Sequence, residues 1–94
     1  MKKQRYWGEM VAFESLGKFL KSMLRIIHST VEQICKLSHM SKRTYYKIVK
    51  GKETHLNYYI RLLEAYFEEL EPDMKYDFLQ QCYDCCLADI EAHN

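Results

Sequence analysis

From Leu16 onward the apolar residues Leu16, Phe19, Leu20, Met23, Leu24 and Ile27 recur at the i, i+3, i+4, i+7 spacing that lines one face of an α-helix. This predicts an amphipathic helix ending near His28. Thr30 follows with a side-chain oxygen suited to cap a helix start, and Gln33 stands where a capping box needs it. A short helix with Ile34, Cys35 and Leu37 inward is therefore expected, about two turns long. After a break at Ser38 to Met40, Ser41 caps a third helix that runs to Lys50, where Gly51 supplies a stop.

The pattern restarts at Thr54, read as the cap of a fourth helix whose Leu56, Tyr59, Ile60, Leu63, Tyr66, Phe67 and Leu70 form one stripe. Pro72 ends that helix and suits the first turn of a fifth, with Asp73 near its positive end. In the fifth helix Asp77, Gln80, Gln81, Asp84, Ala88 and Glu91 form a narrow polar stripe. The remainder, including Phe78, Leu79, Tyr83, Cys86, Leu87 and Ile90, makes an apolar arc wider than one core contact needs. Such a surplus suggests a partner surface, most economically the same helix of a second copy. No strand-like alternation, repeat or low-complexity tract competes, so an all-α chain of five helices is expected.

Length and composition narrow the class. The chain has 94 residues, 48% apolar and 29% charged, with three Gly and one Pro, which fits one folded domain and no second core. Its longest apolar runs, such as Met10 to Phe13, fall far short of a membrane span or signal-peptide core. A cytoplasmic protein with no membrane partner is the expectation. Four cysteines, three of them crowded at Cys82, Cys85 and Cys86, are read as reduced thiols.

Charge is sharply divided. Residues 1–60 hold twelve Lys and Arg against four Asp and Glu, a net +8, whereas residues 61–94 hold two against nine, a net −7. One half attracts polyanions and the other repels them. Between positions 33 and 52 the chain carries Lys36, Lys42, Arg43, Lys47, Lys50 and Lys52 and no acid. Phosphate contact is expected there.

A capped short helix, a tight break and a second capped helix rich in Lys and Arg make a helix-turn-helix arrangement. Residues 16–67 resemble the Cro/repressor-type (Xre-like) helix-turn-helix family of phage and bacterial regulators. In that pattern Thr30 starts the first motif helix, Ile34 takes its apolar slot and Cys35 the small slot. Met40 fills the turn, Ser41 caps the recognition helix, Tyr45 and Ile48 face the core, and Gly51 with Lys52 close the unit. Four positions depart from the pattern. His39 stands where the family usually has Gly, so a left-handed backbone there carries a steric cost. Leu24 and Val49 replace a commonly buried Arg and Glu, and two apolar residues exchanged together avoid a stranded charge. Val31 stands where a polar phosphate contact is usual.

The resemblance implies a five-helix lambda-repressor-like domain spanning residues 1–94. Residues 1–13 form an N-terminal arm or a packed extension, 14–70 a core with the motif at 30–51, and 72–92 a C-terminal dimerisation helix. Residues 42, 43, 46, 47 and 50 share one helix face opposite Tyr45, Ile48 and Val49. By the resemblance Lys42, Arg43 and Lys47 read bases, with Arg suited to guanine O6 and N7. Ser41, Thr44, Tyr46, Lys50 and Lys52 would hold the DNA backbone. Lys2, Lys3 and Arg5 could form a backbone-following arm, although Trp7 and Phe13 favour packing on the domain.

The implied function is a sequence-specific regulator of double-stranded DNA, acting as a homodimer of prophage or mobile-element type. Its two recognition helices would lie roughly 34 Å apart. Phe78, Leu79, Tyr83, Cys86, Leu87 and Ile90 would form the dimer interface, and Glu64, Glu68, Glu69, Glu71 and Asp73 would point away from DNA. The alternative is an antitoxin-like or adaptor protein whose C-terminal helix binds another protein, with DNA binding secondary or lost. Cys82, Cys85, Cys86 and His93 have the residue types of a zinc site. His93, however, lies eleven residues past Cys82, about 16 Å along a helix, so no metal is expected. No cofactor is expected either. An enzyme is disfavoured because the chain has no Gly-rich phosphate loop, nucleophile elbow or paired acid and base. The eight tyrosines are read as packing residues.

Overall fold

The computed structural model describes residues 9–92, and Lys2, Lys3, Arg5, Trp7 and His93, weighed above, lie outside them. The described chain is mostly helical. In order it forms strand β1 (Met10–Val11), helices α1 (Glu14–Ile26), α2 (Val31–Ser38) and α3 (Lys42–Val49), strand β2 (Thr54–His55), and helices α4 (Leu56–Glu69) and α5 (Pro72–Ala92). All five expected helices are present, and α1 begins two residues before the start of its apolar stripe.

The cap at Thr30 forms as its side chain predicts. The Thr30 hydroxyl accepts from Gln33 N–H at 3.2 Å while the Gln33 side chain accepts from Thr30 N–H at 3.0 Å, which completes the capping box. Three successive helices end in one device. After α1, α2 and α3 a single residue turns left-handed, at His28 (φ 54°), His39 (φ 56°) and Gly51 (φ 72°). The next N–H then reaches back to a carbonyl five residues earlier: Ser29 to Leu24, Met40 to Cys35 and Lys52 to Lys47. This is the Schellman closure, which satisfies carbonyls that a helix end leaves open. Two of the three sites use histidine where glycine would sit without strain. A left-handed non-glycine residue costs about 1–2 kcal/mol.

Two expectations are corrected at the α3–α4 junction. The chain contains a short strand pair, and Thr54 is part of it rather than a helix cap. Met10 pairs with His55 and Val11 with Thr54 in an antiparallel ladder, and Thr54 is buried. The start of α4 is satisfied by main chain instead, with Leu56 N–H donating to the Glu9 carbonyl at 2.7 Å. A two-residue strand is too short to leave an alternating signature, so no periodicity announced it. At the same junction Phe13 packs on α4. Phe13 N–H donates to the Tyr59 hydroxyl at 3.1 Å, and the two rings lie 5.3 Å apart.

All five helices share one core. Leu16, Leu20 and Met23 of α1 meet Ile34 of α2, Tyr45 and Ile48 of α3, Tyr59, Leu62 and Tyr66 of α4, and Phe78 of α5. Each fully buried aliphatic side chain contributes about 1.5–3 kcal/mol relative to exposure. Helix α1 crosses α3 at a close backbone approach. A Cβ built on Gly17 would fall on the Ile48 carbonyl oxygen, so only glycine fits there. The opposite flank of α1's first turn receives α5. Buried Asp89 accepts from Ser15 N–H at 2.9 Å and Leu16 N–H at 3.1 Å, and so supplies from 73 or more residues away the carboxylate that caps α1. Among the described residues no helix is long and apolar enough to cross a membrane.

Candidate nucleic-acid interface

Helix α3 is short and cleanly sorted. Its N-terminus is set by Ser41, whose hydroxyl accepts from Thr44 N–H at 3.1 Å and donates to the Thr44 hydroxyl at 3.1 Å. Tyr45, Ile48 and Val49 are buried, and Lys42, Arg43, Tyr46, Lys47 and Lys50 are exposed. The division follows from helical periodicity, because burying the first set turns the second outward together. Lys52, beyond Gly51, is also exposed, and Thr44 is half-buried at the margin. The sequence-predicted side chains are thus brought together on one face, apart from Ser41 and Thr44, whose hydroxyls are engaged with each other in the cap.

Electrostatics differ among the cations. Lys42 lies 3.6 Å from Glu32 of α2 in an exposed pair, which contributes roughly 0–1 kcal/mol and yields readily to a phosphate. Arg43 and Lys47 have no ion pair among the described residues. Lys50 sits 5.9 Å above the Tyr46 ring, a weak cation–π contact that holds the two side chains together. A face of this kind, with long donors and no carboxylate of its own helix, can donate hydrogen bonds to phosphates and to acceptor edges of bases.

Two side chains hold the turn ahead of α3. His39 takes the left-handed backbone expected of the usual glycine, and Arg61 of α4 donates to its carbonyl at 3.3 Å. The Cys35 thiol donates to the Ser41 carbonyl at 3.8 Å, and burial pushes that thiol up, opposed by the charge of Lys42. Val49 is buried and Leu24 half-buried, and both line the groove between α1 and α3.

The residues expected at a dimer interface divide. Leu79, Tyr83, Leu87 and Ile90 are 43%, 62%, 41% and 50% exposed and form a stripe along the outside of α5, with half-buried Cys86 at its edge. Phe78 is corrected. It is buried in the protomer core, with its ring 5.7 Å from Phe19 and 6.4 Å from Phe67, and takes no part in any outer face. Periodicity could not separate it from Leu79, because apolar residues surround most of α5. Cys82, Cys85 and Cys86 are free thiols, and no group of three or more His, Cys, Asp or Glu among the described residues is placed to hold a metal ion.

Sequence reasoning overlooked a second set of cations beside α3. Lys18, Lys21 and Arg25 lie on the exposed side of α1 at steps of three and four, so they share one face, and they border the α1–α3 groove together with Tyr46. Their spacing was a readable signal, hidden by attention to the apolar stripe on the other side. Comparison with known proteins brings no relative to this site: no family model, no curated protein and no solved structure matches the chain.

Proposed function

We propose that the protein is a sequence-specific double-stranded DNA-binding regulator in which α2 and α3 act as a helix-turn-helix of the Cro/repressor type. Helix α3 enters the major groove, Arg43, Lys42 and Lys47 meet base edges, and Tyr46, Lys50 and Lys52 hold phosphates. The observation that carries this reading is the outward cationic face of α3, free of internal carboxylate bonds at Arg43 and Lys47. That face is presented on a helix whose two ends and underside are all tied down. In this reading Glu64, Glu68 and Asp73, exposed on α4 and α5, point away from the DNA.

The test is fluorescence anisotropy of labelled duplex DNA across a salt series, followed by selection of preferred sites. Affinity should fall steeply with salt. Lys50→Ala should weaken all sequences alike and reduce the slope of log affinity against log salt by about one, whereas Arg43→Ala should relax preference at one base pair, at a cost of about 1–3 kcal/mol. Binding that ignores salt, or no duplex binding at low salt, overturns the reading.

The outer stripe of α5 favours an additional element, self-association into a homodimer. Isolated exposed apolar residues are ordinary, but Leu79, Tyr83, Leu87 and Ile90 repeat on one helix side and invite a second helix. Sedimentation should give a dimer that Tyr83→Asp converts to a folded monomer. A monomer that becomes stable only with a different protein bound favours the adaptor alternative instead.

A further inference from the structure

Beside α3 the surface contains a groove of about 970 Å³ between α1 and α3, lined also by Val31 at the start of α2. Its floor is apolar, formed by Leu24, Val31, Tyr45 and Val49. One rim carries Lys18, Lys21, Arg25 and His28, and no acidic residue lines the groove. The three longer cations have no ion pair among the described residues. At the end of α1, Ile26 adds a large apolar side chain that is 49% exposed.

These two chemistries select a ligand class together. Inorganic phosphate or a nucleic-acid backbone would satisfy the rim and leave the apolar floor in water. A neutral hydrocarbon would cover the floor and leave the cations repelling one another. A mostly apolar hollow with a few convergent charged groups takes a molecule that has both parts. We propose that the α1–α3 groove binds a soluble single-chain amphiphile with an anionic head, its chain over Leu24, Val31 and Val49 and its carboxylate or phosphate held by Lys21 and Arg25. Tyr46 belongs both to this groove and to the outward face of α3. A bound amphiphile therefore reaches the face that contacts DNA, and the two ligands compete. The site itself does not depend on the DNA reading, because binding of the amphiphile is measured directly.

The probe is decanoate below its micelle-forming concentration, titrated by calorimetry into the full chain, with decanol and decyltrimethylammonium alongside. Decanoate should bind one to one, and both controls at least about tenfold more weakly, the loss of one charge-assisted contact. The double variant Lys21→Glu/Arg25→Glu should lose at least about tenfold in affinity while keeping its helical circular dichroism. Val31→Glu, which places a charge on the floor, provides a second route to the same loss. Amide shifts on binding should fall on α1, α3 and Val31. In the presence of labelled duplex, decanoate should lower the apparent DNA affinity. Several results overturn the proposal: equal binding of decanol, undiminished affinity in the folded double variant, or shifts confined to the outer stripe of α5. So does sedimentation with phosphatidylglycerol vesicles that depends on Lys21 and Arg25 while free decanoate fails to bind, which would mark the groove as a lipid-surface contact. Loss of duplex binding alone, with decanoate still bound, bears on the DNA reading and leaves this one standing.

Discussion

Helices α3 and α5 both dock on the first turns of α1, from different sides and by different means. Helix α3 approaches through backbone, with Gly17 admitting the Ile48 carbonyl, and its ends are closed by neighbours in sequence, Ser41 and Gly51. Helix α5 is fixed by side chains from afar, with Asp89 on the α1 N–H groups and Phe78 between Phe19 and Phe67. Their free faces differ as much. The outer face of α3 is cationic, while that of α5 is an apolar stripe beside acids. A helix with local caps and a strict amphipathic pattern orients itself. One that is apolar on most sides needs a buried polar anchor to choose which side goes in.

The largest expected effect breaks the α3 side. Gly17→Ala puts a methyl group where the Ile48 carbonyl sits, and thermal or denaturant unfolding should register a loss of about 3 kcal/mol or more, the upper range for overpacking. Because the strain acts on the helix itself, duplex affinity should fall in the fraction that remains folded. On the α5 side, Asp89→Ala removes the remote cap and leaves two N–H groups without their acceptor, for a loss of about 2 kcal/mol by the same measurement. If α5 is positioned mainly by apolar contact, that loss shrinks to a few tenths, and the contrast between the two docking modes fails.

Smaller effects sharpen the picture. His39→Gly relieves a left-handed histidine while adding freedom to the unfolded chain, so stability should rise by up to about 1 kcal/mol with the turn before α3 unchanged. The smallest effect is kinetic. Burial pushes the Cys82 thiol up to about 12, reinforced by Cys86 and Cys85, whereas Cys85 is raised less and is half-buried. Iodoacetamide at mildly alkaline pH should therefore alkylate Cys85 well before Cys82. The sign for stability follows the same shift. The folded chain keeps a proton on Cys82 that the unfolded chain releases above its ordinary thiol range, so this residue's contribution weakens as pH climbs from about 9 towards 12.

The contrast also explains what the sequence disclosed. The α3 boundaries, its buried set and its exposed cations were all legible, because Ser41, Gly51 and the spacing of Tyr45, Ile48 and Val49 are local signals. Three other features were opaque for a common reason. Thr54 had the chemistry of a cap, but pairing with Val11 claimed it. Phe78 matched its outward neighbours in hydropathy, and only the positions of Phe19 and Phe67 decide its side. Asp89 entered only the count of acids in the C-terminal half, and its partners lie 73 and 74 residues earlier in the chain. Contacts set by distant sequence leave no local periodicity to read.

The reach of Asp89 bears on how the protein is made. A chain grows from its N-terminus, so helix α1 is synthesised before α5, and the carboxylate that closes its first turn follows Leu16 by 73 residues. The Ser15 and Leu16 N–H groups therefore lack this acceptor until α5 has been made. The first helix is thus closed by the fifth.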